Sequence, residues 1–287
     1  MVSKIAIVTD STAMLPAEAV GAAGCITVVP LQVVLDGQAY DEGLPETSPE
    51  AISEALTGRR KVSTSRPSPT LLGEVYDRLA GEGYDEVVSL HLSAEMSGTF
   101  ESAQIAARTA PVPVTVVDTR GVGPCLGFAV LAAASRVASG GTAQQAVEAA
   151  LARAAATQSY FYVNTLEHLR RGGRIGAAAA LLGSALAVKP LLTIDDGRVV
   201  LHERVRTAAR ALARLEELAV EAAADGPVEV VVAHLGAAER AGELCDHLAS
   251  RLAEALGPRE VRCGELGAVL GAHAGPGMLA VVVAPAL

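Results

Sequence analysis

Tryptophan is absent from this chain of 287 residues, and three phenylalanines and five tyrosines bring the aromatic share to only 3%. Stacking of bases on aromatic rings, the usual grip on single-stranded nucleic acid, therefore has little to work with. Positive charge is also in short supply: 23 lysines and arginines face 32 aspartates and glutamates, for a net charge of −9. That balance repels a phosphate backbone, so no nucleic acid is expected among the partners.

Cysteine is scarce and scattered. Cys25, Cys125, Cys245 and Cys263 have no CxxC spacing and no histidine at zinc-finger distance, and they are expected as buried free thiols in a reducing cytoplasm. No HxxxH or HxH pair marks a metal site. A GxxxxGK[ST] loop is missing, as is a GxGxxG turn after a strand, so no cofactor is expected. The first residues, MVSKIAIVTD, lack the charged region and apolar run of an export signal, and the alanine-rich stretches elsewhere are broken before they reach spanning length. The expectation is a soluble, cytoplasmic protein with no integral membrane segment.

What the chain has in quantity is aliphatic: 51% of it is hydrophobic, mostly Ala, Val and Leu, and its length allows two domains with self-sufficient cores. Short β-branched runs recur at KIAIVT (4–9), VVSLHL (87–92), VTVVD (114–118), VEVVVAHL (228–235) and LAVVVA (279–284). Their nearly unbroken apolarity is that of strands buried on both faces, as in a parallel sheet. Helical patterns lie between them. Leu244, Leu248, Leu252 and Leu256 repeat every fourth residue, and Thr142 followed by Gln145 has the spacing of a capping box. The alternation predicts an α/β fold with right-handed crossovers.

Two segments break the rhythm. ITVVPLQVVLDG (26–37) reads as an extended stretch whose Pro30 suits an edge, and LLTIDDGRVVLHERVR (191–206) reads as a hairpin about a DDG turn. Near residues 156–164 the pattern gives way to YFYV and then to the Gly- and Arg-rich LRRGGRIG. The boundary is placed there, with an N-terminal α/β domain over 1–158 and a C-terminal α/β domain over 159–287.

In open α/β sheets ligands sit beyond the carboxyl ends of the strands. The loops at those ends are rich in hydroxyls: Asp10-Ser11-Thr12, then Ser93 to Thr99, then Asp118-Thr119-Arg120. Each hydroxyl taken alone is best read as a cap on its own helix. The run from 93 to 99 has more of them than one cap needs, and Gly98 permits close backbone approach, which points to an anion site. VSTSRPSP (62–69) is an ordinary loop with an N-cap at Ser68. His91, His234 and His273 read as satisfied core or loop residues, and Arg170, Arg171 and Arg174 about two glycines read as a solvated helix end.

Taken together, IVTDST (7–12), VSTSRPSP (62–69), MSGTFESA (96–103), VVDTRG (116–121), LEHLRRGGRIG (166–176), KPLL (189–192) and HAGPGMLAV (273–281) stand in an order that resembles the DegV family of bacterial fatty-acid-binding proteins over essentially the whole chain. The resemblance implies a two-domain α/β protein, its N-terminal domain built on a parallel sheet, with a long-chain fatty acid buried between the domains. It also implies a non-enzymatic carrier role, in which a separate fatty acid kinase phosphorylates the bound carboxyl group. Position by position, the carboxylate ligands fall on Thr64 and Ser97, supported by Gly98 and by His273. A family arginine after the hairpin falls on Arg204 or Arg206. Two departures stand out: Arg66 replaces a common Gln, and AEM precedes the SGT turn. Arg66, Arg170, Arg171, Arg204 and Arg206 are thus candidates for head-group or partner contact.

An aliphatic tunnel for the tail is expected from helix 125–138, including Leu126 and Phe128, and from the apolar segment 177–187. At about 0.8 kcal/mol per buried CH₂, a tail of about sixteen carbons gains on the order of 10 kcal/mol before ordering costs. Burial would set affinity, and the hydroxyls orientation. Three alternatives stay open at this point: a serine hydrolase using Ser97, His273 and Asp10 or Asp118, although the GxSxG elbow is missing; a nucleotide-binding kinase, although the loops for it are missing; and a lipid-sensing regulator.

Overall fold

A computed structural model of the chain describes residues 3–181 and 189–287. In chain order its strands are β1 (Ile5–Asp10), β2 (Ile26–Val29), β3 (Gln32–Leu35), β4 (Gln38–Asp41), β5 (Val62–Ser65), β6 (Glu86–His91) and β7 (Val114–Asp118), followed by β8 (Gln158–Tyr162), β9 (Lys189–Asp195), β10 (Arg198–Val205), β11 (Val228–His234), β12 (Arg262–Glu265) and β13 (Leu279–Pro285). The chain divides into two compact units, Met1–Gln32 with Ser65–Ala155 and Val33–Thr64 with Ala156–Leu287. A single cut after residue 158 does not describe this division. The ITVVPLQVVLDG stretch is two strands parted at Pro30: β2 pairs with β1, whereas β3 lies between β4 and β5 in a small sheet of their own. Proline offers no N–H to continue a ladder, so the chain changes sheets there.

In the first unit, β2-β1-β6-β7 form a parallel sheet, and β1 and β6 are buried almost along their length. From β1 the chain crosses to β2 on one side, and from β6 to β7 on the other. The ends of β1 and β6 therefore flank the switch point at which an open α/β sheet has its crevice. Helices Pro69–Gly81 and Thr99–Ala107 cover one core through Leu72, Tyr76, Leu79, Ala103 and Ala106. Ser68 accepts from Leu71 N as the N-cap, and Thr142 and Gln145 exchange both bonds of a capping box.

The second unit holds a six-stranded sheet in the order β10-β9-β8-β13-β11-β12. The DDG hairpin is present as β9 and β10, with Asp196 and Gly197 at its turn, both at positive φ. The strands VEVVVAHL and LAVVVA depart from the expected parallel arrangement: β13 runs antiparallel to both β11 and β8, and only β11 and β12 are parallel. Burial of a central strand looks the same in sequence whichever way its neighbours run. Helices Ala208–Ala222 and Ala238–Arg251 pack on this sheet through Leu215, Leu218, Leu244 and Leu248. The leucine repeat extends beyond the second of these into a short helix, Ala253–Leu256.

Of the tail-lining candidates, Leu126 and Phe128 are fully buried in helix Pro124–Ala138, where the Phe128 ring carries the Arg153 guanidinium 5.2 Å from its centre. The segment 177–187 is described as far as Leu181, within a 3₁₀ turn at Gly176–Leu181, and the rest lies outside the described residues.

Helix Pro124–Ala138 approaches the 3₁₀ turn Ser11–Ala13 so closely that a Cβ on Gly127 would sit 2.4 Å from the Ala13 carbonyl oxygen. Gly127→Ala is expected to cost about 1–3 kcal/mol in urea denaturation, since a backbone carbonyl cannot yield cheaply. Gly21→Ala, on a helix with open space around it, should gain about 0.5–1 kcal/mol. Equal midpoints for the two variants would show that the close approach at Gly127 carries no energy.

Candidate functional site

At the switch point of the first unit a carboxylate sits without any exposed surface. Asp10 Oδ2 accepts from Leu92 N at 3.0 Å and pairs with His91 Nδ1 at 3.0 Å, while its Oδ1 accepts from Thr12 N and from the Thr12 hydroxyl. The chain of contacts runs on from His91 Nε2 to Ser89 Oγ at 2.8 Å, and from there to Tyr76 OH at 2.9 Å. All of these residues are buried, and burial pushes the Tyr76 phenol up to about 12, so it stays neutral. His91 is thus the satisfied core histidine that its place in an apolar strand suggests.

The turn that follows β6 is built from its own hydroxyls. Ser93 Oγ accepts from Glu95 N, and Ser97 Oγ bonds the Thr99 hydroxyl at 2.8 Å and accepts from Thr99 N at 3.3 Å. Ser97 and Gly98 are half-buried at the N-terminus of helix Thr99–Ala107. Asp118 closes the neighbouring loop, its Oδ1 accepting from Ala94 N and Arg120 N. Gly98 has a local reason of its own: a Cβ there would stand 1.8 Å from Arg66 Nη1, which donates to the Gly98 carbonyl at 3.2 Å and meets Glu101 at 3.1 Å. Arg66 is thereby an exposed strap across this turn.

In the second unit, Thr64 Oγ1 and His273 Nε2 lie 2.8 Å apart. Thr64 comes from β5, and His273 from the last turn of helix Ala268–Ala274. Two glycine motifs interlock around the histidine. A Cβ on Gly172, in LRRGGRIG, would fall 2.1 Å from His273 Nδ1, and a Cβ on Gly275, in HAGPG, would fall 2.2 Å from His168 Cδ2. Glu42 seats the far end of the same helix by accepting from Val269 N at 2.8 Å, with Gly267 leaving room for its carboxylate. Nothing local in sequence points to Glu42, which is brought to this helix from far away in the chain.

Burial, and after it the Arg174 charge, push the His273 imidazole down to about 4, so it is neutral at pH 7. Its Nδ1 is buried with no hydrogen-bond partner among the described residues. That is the nitrogen a triad carboxylate would hold, while Asp10 is spent on His91 and Asp118 on backbone amides. Neither aspartate expected for a triad is bonded to that nitrogen among the described residues. Among the described residues no group of three His, Cys, Asp or Glu could hold a metal ion.

The remaining candidate arginines are on the surface. Arg170 grips Glu167 through two bonds, at 2.9 and 2.7 Å, and Arg171 meets the same carboxylate at 2.8 Å. Arg204 near the end of β10 and Arg206 just beyond it are exposed and form no ion pair among the described residues. No helix among the described residues is long and apolar enough to cross a membrane.

A family model described as "Uncharacterised protein, DegV family" matches residues 4–286. The chain belongs to the DegV family. A DegV domain-containing protein of Streptomyces coelicolor is 56% identical over 279 residues, covering 97% of this chain and 98% of its own. Among solved structures, DegV from Bacillus subtilis, described as a fatty acid binding protein, superposes with a TM-score of 0.89 at 33% identity, covering 99% of this chain and 100% of its own. A DegV family protein from Thermus thermophilus, described for its fatty acid binding, reaches 0.88 at 34% identity with the same coverage. The two-unit α/β architecture is thus that of the DegV fold.

The neutral His273 gives a pH signature. Its folded-state value lies below the unfolded one, near 6.5, so the unfolded chain binds more protons between about 6.5 and 4. Stability is complete above that window and falls as pH drops through it, by up to about 3 kcal/mol. His168, also lowered by burial, adds to the same slope. Melting temperature measured from pH 7 to 4 should decline less steeply for His273→Gln than for the wild type; parallel curves would mean that His273 is as easily protonated folded as unfolded.

Proposed function

We propose that this DegV family protein binds a long-chain fatty acid and holds its carboxylate through the Thr64 and Ser97 hydroxyls and the Gly98 amide, with His273 orienting the Thr64 hydroxyl. The observation that carries the reading is the whole-chain likeness to DegV proteins described as fatty acid binding. The chemistry of the two hydroxyls supports it. A carboxylate withdrawn from water needs donors already in place. His273 is neutral and its Nδ1 meets no acceptor, so the arrangement that strands no buried N–H puts the ring proton on Nε2, donated to Thr64 Oγ1. The Thr64 O–H is then free to donate outward.

On this reading the protein is a carrier. The kinase that would phosphorylate the bound carboxyl group supplies the nucleotide site, for which this chain has no loop, and the exposed Arg170, Arg171, Arg204 and Arg206 suit contact with such a partner. A sensor of lipid would need the same head-group donors; what favours the carrier is the set of neutral donors, which leave the ligand carboxylate charged and nucleophilic.

The test is native mass spectrometry of the purified chain with added long-chain fatty acid, beside the double variant Ser97→Ala with Thr64→Val. The wild type should hold one equivalent. The double variant should keep its far-ultraviolet circular dichroism and lose at least tenfold in affinity, the cost of leaving a buried carboxylate short of two donors, about 1.4 kcal/mol or more. Wild-type stoichiometry in the variant would remove both hydroxyls from the head-group site, and an empty wild type would overturn the binding function. For the partner, Arg204→Glu with Arg206→Glu should leave lipid binding unchanged and lower acyl phosphate formation by an added fatty acid kinase; unchanged formation would free these arginines of that role.

A further inference from the structure

The expectation of buried cysteines holds for Cys125 alone; Cys25 and Cys245 are half-buried, and Cys263 is exposed. Without a CxxC motif between them, Cys245 and Cys263 nevertheless lie on the same face and edge of the second unit. Cys263 lies on β12, the edge strand of the six-stranded sheet, in register with Val232 of the parallel neighbour β11. Register partners on adjacent strands project to the same face of a sheet. Val232 is buried in the core that Leu244 and Leu248 of helix Ala238–Arg251 complete, so Cys263 faces that helix. Cys245 follows Leu244 and packs against the rim of the same core. Helix Ala238–Arg251 packs directly on β12, so the two thiols stand at one edge of this core.

We propose that Cys245 and Cys263 form a redox site, which a hydroperoxide closes to an intrachain disulfide. A metal is the competing use of a thiol pair, but two sulfurs alone do not make a tetrahedral site, and no third ligand joins them among the described residues. Cys263 reacts first, because it is exposed, whereas burial and the neighbouring thiol push Cys245 up to about 12 and keep it protonated. The Cys263 sulfur attacks hydrogen peroxide, the O–O bond breaks, and hydroxide leaves as water, giving a sulfenic acid. The Cys245 sulfur then attacks the Cys263 sulfur, the S–O bond breaks, and the hydroxyl departs as a second water with the Cys245 proton. Two thiols are oxidised, one peroxide is reduced to two waters, and a dithiol reductant reverses the bond.

The bridge would tie the edge strand β12, which has a sheet partner on one side only, to the helix packed over it. It also closes a loop in the unfolded chain, so the oxidised protein should melt at a higher temperature. The experiment treats the full chain with hydrogen peroxide at low molar excess, alkylates the remaining thiols, and identifies peptides by mass spectrometry. Two of the four thiols should disappear, Cys245 and Cys263 should be recovered as one cross-linked pair, and Cys25 and Cys125 should be alkylated. The melting temperature should rise and return on treatment with dithiothreitol. Cys245→Ser should abolish the rise and leave a sulfenic acid at Cys263 that dimedone captures. A wild-type protein in which Cys263 goes to a dimedone adduct or a sulfinic acid while Cys245 stays free would overturn the proposal, as would a bond from Cys263 to a second chain.

Discussion

A carboxylate with no contact to water must be surrounded by donors, and at Asp10 that requirement organises the first unit. One side chain binds the turn that leaves β1, through Thr12, and the backbone and imidazole at the end of β6, through Leu92 and His91. The ends of the two strands flanking the switch point are thereby joined. His91 passes the constraint to Ser89 and Tyr76, and so to the helix Pro69–Gly81 that covers the sheet. Removing one member leaves the others buried and unpaired, which is costlier than never having built the network. The Ser93 to Thr99 turn grows from this end of β6, and its conformation depends on that anchorage.

In the second unit the equivalent discipline is steric. Gly172 and Gly275 each leave only enough room for a histidine from the other's motif, so LEHLRRGGRIG and HAGPG are two halves of one packing arrangement. A ring held this way has little freedom to turn toward another partner, and Thr64 is the one it meets. Glu42 adds a fixed position for the start of the helix that ends at His273. Burial of that ring, rather than a neighbouring carboxylate, sets its neutral state.

Local patterns in the sequence were reliable wherever the controlling interaction is local. Ser68 capping its helix, the Thr142–Gln145 box and the DDG hairpin all depend on residues a few positions apart. The transfer of Val33–Thr64 to the second unit and the antiparallel neighbours of β13 depend on pairings with strands distant in the chain, and an apolar run has the same spacing in either case. The same limit hid the cysteine pair, which only the β11–β12 register brings to light. At the candidate site, family resemblance singled out Thr64 and His273 separately. Their contact, and the reason for the glycine beneath the ring, are three-dimensional facts.

The proposed ligand makes opposed demands that this composition can meet together. Its tail asks for apolar volume without polar orphans, which Ala, Leu and Val supply with few aromatic rings and no tryptophan. Its head asks for donors, and the choice between charged and neutral donors has a chemical consequence. A buried arginine or a protonated histidine would bind the carboxylate by a charge-assisted pair and draw off the electron density that a later phosphoryl acceptor must offer. On the proposed reading, hydroxyls oriented by a neutral imidazole would hold the same oxygen atoms with less withdrawal. The tail would then supply most of the affinity, the head group would be oriented without being neutralised, and a ligand so held would still be chemically ready to accept a phosphoryl group.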